Sequence, residues 1–324
     1  MSFISSGGSA TIRADINQAL IEAPAQIGMI GAEVLPLLPV SAKSGVYLKV
    51  QTADADLLNA DAAKRNAGSE YARAIRKFTS DTYDCIETGL EELLDDSFRS
   101  DANRFFQVEA ETAKFLLRQV RLSHEKRVAD LLFATTTPFT TADLTATGSI
   151  AYTEANLGTI NAPADVAAGK LALNKLGYEA NAVIMSANVY ERVRRTTLLQ
   201  NQFYGVVSNT GGRLLDEAQI AQAFGVDKIY VGRAAYNTAN KNKSYSGSFI
   251  VPDTKIIVAN VGSGQFTAGG LGRTLVWSED APGGFVSESY RDEARRSNVL
   301  RVRMNTAEKI IDATAAVRIT TTYS

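Results

Sequence analysis

DANRFFQVEAETAKFLLRQVRLSHEKRVADLLF, residues 101–133, is the stretch from which the fold can be read. Apolar or small residues recur in it at helical spacing: Ala102, Phe105, Phe106, Ala113, Leu116, Leu117, Val120, Val128, Leu131 and Leu132. Arg104, Glu111, Arg118 and Glu125 read as a polar stripe opposite them, one residue per two turns. Ser100 is placed to N-cap the helix and Asp101 sits in its first turn, while Thr135-Thr136-Thr137-Pro138 stops it. Unbroken, such a helix is roughly 50 Å long at about 1.5 Å per residue. A compact chain of this length has a radius of gyration of only about 20 Å. The helix therefore reads as a beam along which other elements are laid. Its apolar stripe does not hold a/d heptads, which disfavours a two-stranded coiled coil.

Composition narrows the function. The chain has 324 residues, enough for two lobes with cores, and its hydrophobic share of 45% is ordinary for a globular protein. Lys plus Arg number 34 against 35 Asp plus Glu, a net charge of −1. That balance argues against a protein whose main task is gripping nucleic acid, though not against one enclosing nucleic acid already neutralised by small cations. Cys85 is the sole cysteine, so no intramolecular disulfide can form. His124 is the sole histidine, which removes most zinc sites and leaves Cys85 as the only partner for a His-based relay. No apolar run reaches the ~18 residues of a membrane span. The first eight residues, Met1 to Gly8, lack the basic start and apolar core of a signal peptide, so the protein is expected to be cytoplasmic where it is made.

Outward toward the N-terminus, Pro24, Gly28, Gly31, Pro36 and Pro39 punctuate an otherwise apolar segment. Such punctuation opposes a long helix or central strand and predicts an extended arm lying on its own subunit or a neighbour. Val46, Leu48 and Val50 alternate as a strand, and Tyr71, Arg73, Ile75, Lys77, Phe78 and Tyr83 mark a second. Between them lies a long polar tip. Two strands alone are marginal in water, so this projecting hairpin implies a partner surface. Glu91 to Asp96 read as a short acidic helix leading into the long one.

Beyond Pro138 a Thr/Ala-rich connection precedes a lobe of mixed α and β. Helices are expected at 164–176, after Ser186 and at 214–224, with strands at 182–185, 228–231, 249–251 and 256–258. Strands at 273–277, 285–294, 299–304 and 309–319 then close the chain. Val299, Arg301 and Arg303 alternate with Leu300, Val302 and Met304, the mark of a sheet with one buried face. That sheet has no sequential partner except the long helix, so the mixed lobe reads as an insertion.

No motif defines an enzyme. Gly262-Ser263-Gly264 and Gly269-Gly270-Leu271-Gly272 follow a strand but open into another strand, whereas a dinucleotide loop opens into a helix. The carboxylate pairs Glu91/Glu92, Asp95/Asp96 and Glu279/Asp280 are adjacent in sequence and do not face each other across a cleft. The basic pairs Lys64-Arg65, Arg194-Arg195 and Arg295-Arg296 suit salt bridges or phosphates better than base readout.

The series of elements resembles the major capsid proteins of tailed bacteriophages, whose Johnson fold is shared with encapsulin nanocompartments. The stretches that carry the resemblance are 32–47, 181–192, 225–234 and 273–277. It implies an α+β fold with an N-arm (1–44), an E-loop hairpin (45–84), a P domain with a spine helix at about 101–133 (85–155 and 281–324) and an inserted α/β A domain (156–280). It further implies a shell subunit forming hexamers and pentamers around double-stranded DNA, without cofactors or membrane contact. Some relatives carry a helical scaffold segment before the arm; here a separate scaffolding protein is expected, the alternative being a segment removed before Met1, and a portal and a decoration protein are further expected partners. Lys64, Arg65, Arg73 and Arg76 of the hairpin are expected to face carboxylates of an adjacent subunit. Some relatives crosslink an E-loop lysine to an asparagine, for which Lys64 or Lys77 and Asn298 or Asn305 stand as the pair here. The alternatives are an encapsulin-like shell and, less so, a nucleotide-binding enzyme using the glycines at 262–272.

Overall fold

The computed structural model describes residues 11–12, 28–49, 68, 70, 79–97, 108–205, 214–240, 243–262, 269–281 and 283–321. Its chain order begins with β1 (Thr11–Ile12), α1 (Gly31–Val34), β2 (Leu37–Val40), β3 (Ser44–Lys49), β4 (Thr79–Asp84) and β5 (Ile86–Asp95). The long helix, α2, follows at Val108–Leu132, then β6 (Leu144–Thr145), α3 (Ala162–Lys175), β7 (Ala182–Ser186), α4 (Ala187–Val193), α5 (Thr197–Tyr204) and α6 (Glu217–Phe224). The remainder is strand: β8 (Lys228–Gly232), β9 (Ala235–Asn237), β10 (Gly247–Phe249), β11 (Lys255–Ala259), β12 (Gly272–Trp277), β13 (Val286–Asp292), β14 (Ser297–Ile310) and β15 (Ala316–Thr320).

The 25 residues of α2 run without interruption, a length of about 37 Å. The expected start at 101–107 lies outside the described residues. At the other end Lys255 Nζ and Arg318 Nη1 donate to the Ala134 carbonyl, at 3.0 and 2.6 Å. These cations satisfy an exposed carbonyl where the helix dipole is negative.

Two sheets share this helix. In the first, β14 is central: β5 pairs along one edge from Ile86↔Thr306 to Asp95↔Ser297. Its other edge is divided between β13 and β12. The arm strand β2 pairs parallel to β12, and β1 pairs with β13. Leu300 and Val302 point at the helix and pack on Ala113, Leu116 and Leu117. The expected alternation holds, because the opposite face carries Arg301 and Arg303. These are paired across strands with Glu91 (2.9 Å) and Glu288 (2.7 Å).

The second sheet has the order β6-β15-β11-β7-β8. One face buries Val183, Met185, Val258, Val317 and Ile319 beneath α3, α4 and α6. Gly169 of α3 permits the closest approach: a Cβ there would stand 2.9 Å from a Val258 methyl. The other face, with Ile184, Ile257 and Ala316, packs on Val128 and Leu132 of α2 and on Val34 and Leu35 of the arm. The N-terminal half of the helix thus serves one sheet and the C-terminal end the other.

Five expectations change. Residues 91–96, expected as a helix, are mostly strand, since β5 pairs with β14 along ten residues. Strand β14 runs on to Ile310 rather than ending at Met304. Strand β15, expected with the closing sheet, lies in the second sheet between β11 and β6. Conversely β12, expected within the inserted lobe, is in the first sheet. Glu125, expected on the solvated stripe, is buried at 3% exposure.

Leu117 is 2% exposed and Phe115, two residues before it, is 54% exposed. Leu117→Ala is therefore expected to cost about 2–5 kcal/mol in chemical denaturation. Phe115→Ala should stay within about 0.5 kcal/mol.

Candidate assembly surface

The hairpin expected to reach a neighbour is described at its root. Strands β3 and β4 pair antiparallel from Ser44↔Asp84 to Lys49↔Thr79 and form a two-stranded sheet of their own. Tyr47 OH donates to Asp81 Oδ2 at 3.2 Å, and Lys49 Nζ lies 2.5 Å from the same carboxylate. The Lys49 ammonium, with the Thr82 N–H, holds Asp81 down at about 2. Tyr83 OH donates to the Ala42 carbonyl at 3.2 Å, which braces the root against the arm. Lys64, Arg65, Arg73, Arg76 and Lys77 lie outside the described residues.

Behind the root the hairpin strand passes through buried Cys85 and becomes β5. Among the described residues, β5 is paired on its β14 side only. Ile86, Leu90 and Leu93 on it are 69%, 47% and 43% exposed. Such an edge offers unpaired backbone groups together with apolar side chains, a template for another chain.

Buried polar junctions hold this surface to the rest. Glu125 on α2 accepts from Ile30 N (3.0 Å) and Gly31 N (2.6 Å), satisfying the free amides at the start of α1. Arg127 donates from Nε and Nη2 to Glu308 on β14 and from Nη2 to Thr306, at 2.9–3.2 Å. It also reaches Thr88 of β5 from Nη1 at 3.4 Å. His124 Nε2 lies 3.1 Å from Thr274 Oγ1 and 3.7 Å from Glu308. Arg318, fully buried, is bidentate to Asp143 at 2.6 and 2.8 Å and pins the segment after the helix to β15. None of these pairs has a local sequence signature: all but Arg127–Thr88 join residues more than 90 positions apart.

The remaining motifs are accounted for structurally. Cys85 packs with Leu275 and Ala307, whereas His124 meets Thr274 and Glu308. Adjacent strand residues point to opposite faces, so the first sheet separates thiol from imidazole. Gly262 is pressed against Gly269 and Arg273, and Gly272 opens strand β12 rather than a helix. Arg194 pairs with Glu191 at 3.0 Å and Arg195 with Glu154. Asn305 is 1% exposed and donates to Asp280, so it is not presented for a crosslink. Asn298 accepts from Arg291 at 3.2 Å. Among the described residues no helix is long and apolar enough to cross a membrane.

A sheet packed on half of a long helix, a second lobe on the rest and the two-stranded root of a hairpin make up the described fold. Residues 98–319 match the phage capsid protein family, and the chain belongs to it. The fold agrees. A phage-related protein from Bordetella bronchiseptica RB50 superposes with a TM-score of 0.69 at 18% identity, covering 96% of this chain and 97% of the other. The capsid of cyanophage P-SCSP1u gives 0.58 at 12% identity, over 100% and 93%. The putative capsid protein of an Escherichia coli CFT073 prophage gives 0.56 at 10%, over 97% and 100%. No curated protein matches in sequence. The chain is a structural subunit of a phage capsid with the Johnson fold.

Its junctions set a pH response. Burial, with Arg127 beside it, holds the His124 imidazolium below the ordinary histidine value despite Glu308. The unfolded chain therefore takes up a proton that the folded one refuses, and stability falls as pH drops below about 6.5. Glu308 adds to the loss at lower pH: burial raises its carboxyl, but Arg127 outweighs burial and holds it below the usual value. Glu125 acts oppositely, since burial raises its carboxyl, and its contribution is lost as pH rises. Urea unfolding between pH 7 and 5 should show a shallower pH slope for His124→Gln than for wild type. Equal slopes would mean that the imidazole is not buried.

Proposed function

We propose that this subunit assembles into hexamers and pentamers of an icosahedral shell enclosing double-stranded DNA. The family match over residues 98–319 carries the reading. Support comes from the hairpin, whose root forms a two-stranded sheet of its own beside the two larger ones, as overlapping contacts require. Many weak contacts repeated around a closed shell act by avidity, so none need be strong. The near-neutral charge suits a wall that should not hold DNA tightly.

In this reading the first sheet with its helix is the plate of the shell wall, and the second sheet with its helices is the lobe that closes each ring. A separate scaffold, a portal and a decoration protein would act on it, in the cytoplasm of the host. Lys64, Arg65, Arg73 and Arg76 at the hairpin would face carboxylates of the next copy. Exposed pairs of this type are worth only about 0–1 kcal/mol each, so repetition makes them matter.

Electron microscopy and sedimentation of the purified chain test the reading: shells or capsomers are expected, and dispersed monomers under every condition would refute it. Deleting residues 54–68 should leave far-UV circular dichroism near normal and abolish closed shells. Raised salt should weaken assembly of the parent protein.

A further inference from the structure

We propose that the tip of the β9–β10 hairpin, through Lys243, Ser244 and Tyr245, is a contact for the phosphate backbone of double-stranded DNA. The proposal rests on the capsid reading for its partner and assigns the place where the wall touches what it encloses. Strands β9 and β10 pair from Ala235↔Phe249 to Asn237↔Gly247 and form a two-stranded sheet of their own. The foot of this hairpin is fastened to the long helix. Ala234 and Ile250 are buried with Ala129, and the Lys126 ammonium lies 5.7 Å over the Tyr236 ring. Further out, every residue from Lys243 to Ser248 is exposed.

The tip is held in one shape. Asn237 Oδ1 accepts from the Ala239 and Ser246 amides, both at 3.0 Å, and so closes the turn with a side chain. The Thr238 amide donates to the Ser246 carbonyl at 2.8 Å, and its hydroxyl donates to Ser246 Oγ at 3.0 Å. The Lys243 amide donates to the Asn240 carbonyl at 3.0 Å. Tyr245 is 73% exposed, yet it lies along β10: a Cβ at Gly247 would stand 2.6 Å from its hydroxyl. A tip ordered before it binds loses less freedom when it does.

Charge and chemistry select the partner. Residues 228–252 hold four cations, Lys228, Arg233, Lys241 and Lys243, and no carboxylate. Lys228 is paired with Glu33 and Arg233 with Glu217, whereas Lys243 makes no ion pair among the described residues. Asp130 and Asp253 share a cleft with the foot but are occupied, Asp130 by Lys126 and Asp253 by Ser186 and Asn188. Residues 238–246 carry no aliphatic side chain larger than that of Ala239. The centre of a protein interface is apolar, and this tip has no such centre. Phosphate oxygens take what it offers, an ammonium and hydroxyls. One such contact is weak and the whole chain is near neutral, so the DNA is touched without being gripped.

Anisotropy of a short labelled duplex titrated with the full-length chain, between about 50 and 200 mM salt, tests this. Lys243→Ala should weaken binding about tenfold at the lower salt and make the slope of log affinity against log salt shallower by about 1. Tyr245→Phe, which keeps the ring and loses the hydroxyl, should weaken binding by about threefold. Lys175→Ala, at an exposed lysine ending α3, should change neither quantity, and far-UV circular dichroism should stay the same in all three. An unchanged slope for Lys243→Ala, or an equal change for Lys175→Ala, would overturn the proposal. So would a Lys243→Ala chain that binds DNA normally but no longer assembles, since the tip would then be a contact between copies. If the parent chain formed no shells yet bound the duplex through Lys243, the capsid reading would fall and this contact would stand.

Discussion

One helix shared by two sheets is the constraint on which the rest of this subunit depends. Leu116 and Leu117 bury against the first sheet and Val128 and Leu132 against the second. The relative position of the two sheets is therefore fixed by the spacing of side chains along one rod. A helix resists bending far better than a loop does, because every interior amide is bonded four residues back. A break within it would not merely unfold a segment; it would uncouple the two sheets.

The C-terminal end of the rod is secured by ionic groups as well as by apolar surface. Arg318 and Lys255 both hold Ala134, and Glu125 and Arg127 lock the arm and β14 onto the helix face. Buried pairs of this kind contribute little net stability over apolar substitutes, yet removing one member costs about 3–5 kcal/mol because the other is left uncompensated. Their effect is to make one arrangement of arm, helix and sheet much better than its neighbours. Glu125 shows the geometry: a Cβ on Gly31 would stand 2.7 Å from its carboxylate, so the arm's close approach and the hydrogen bonds are one feature.

How much of this was legible in the sequence follows the same division. The long helix, the hairpin root and the alternation at 299–304 are local patterns, and each appears within the described residues, the helix from Val108 and the second hairpin strand from Thr79. The strand at 86–95 was hidden, because Glu91-Glu92-Leu93-Leu94 favours a helix by propensity and Leu93-Leu94 breaks the alternation. Its ladder with β14, about 200 residues away, overrides propensity. The last strand was legible as a strand but not as a member of the second sheet, since nothing within 316–320 encodes which edge it meets. Glu125 fits a solvated stripe until Ile30 and Gly31 arrive from the arm, 95 and 94 residues earlier. Of the assembly surface, the basic hairpin was visible in sequence and the open edge of β5 was not.

That asymmetry follows from the continuity of β4 and β5. A single length of chain leaves the wall at Cys85: on one side it is a paired edge of the core sheet, on the other a two-stranded ribbon without a core. The buried thiol, 0% exposed and packed with Val40, Leu275 and Ala307, joins the two. Load applied to the ribbon must pass through this residue into β5 and thence across ten paired residues to β14. In antiparallel pairing the hydrogen bonds lie across the strand, so a pull along it shears many together instead of opening them one by one. A ribbon continuous with β5 thus passes a pull along the strand into the β5–β14 ladder, which a ribbon tethered by a loop would not do.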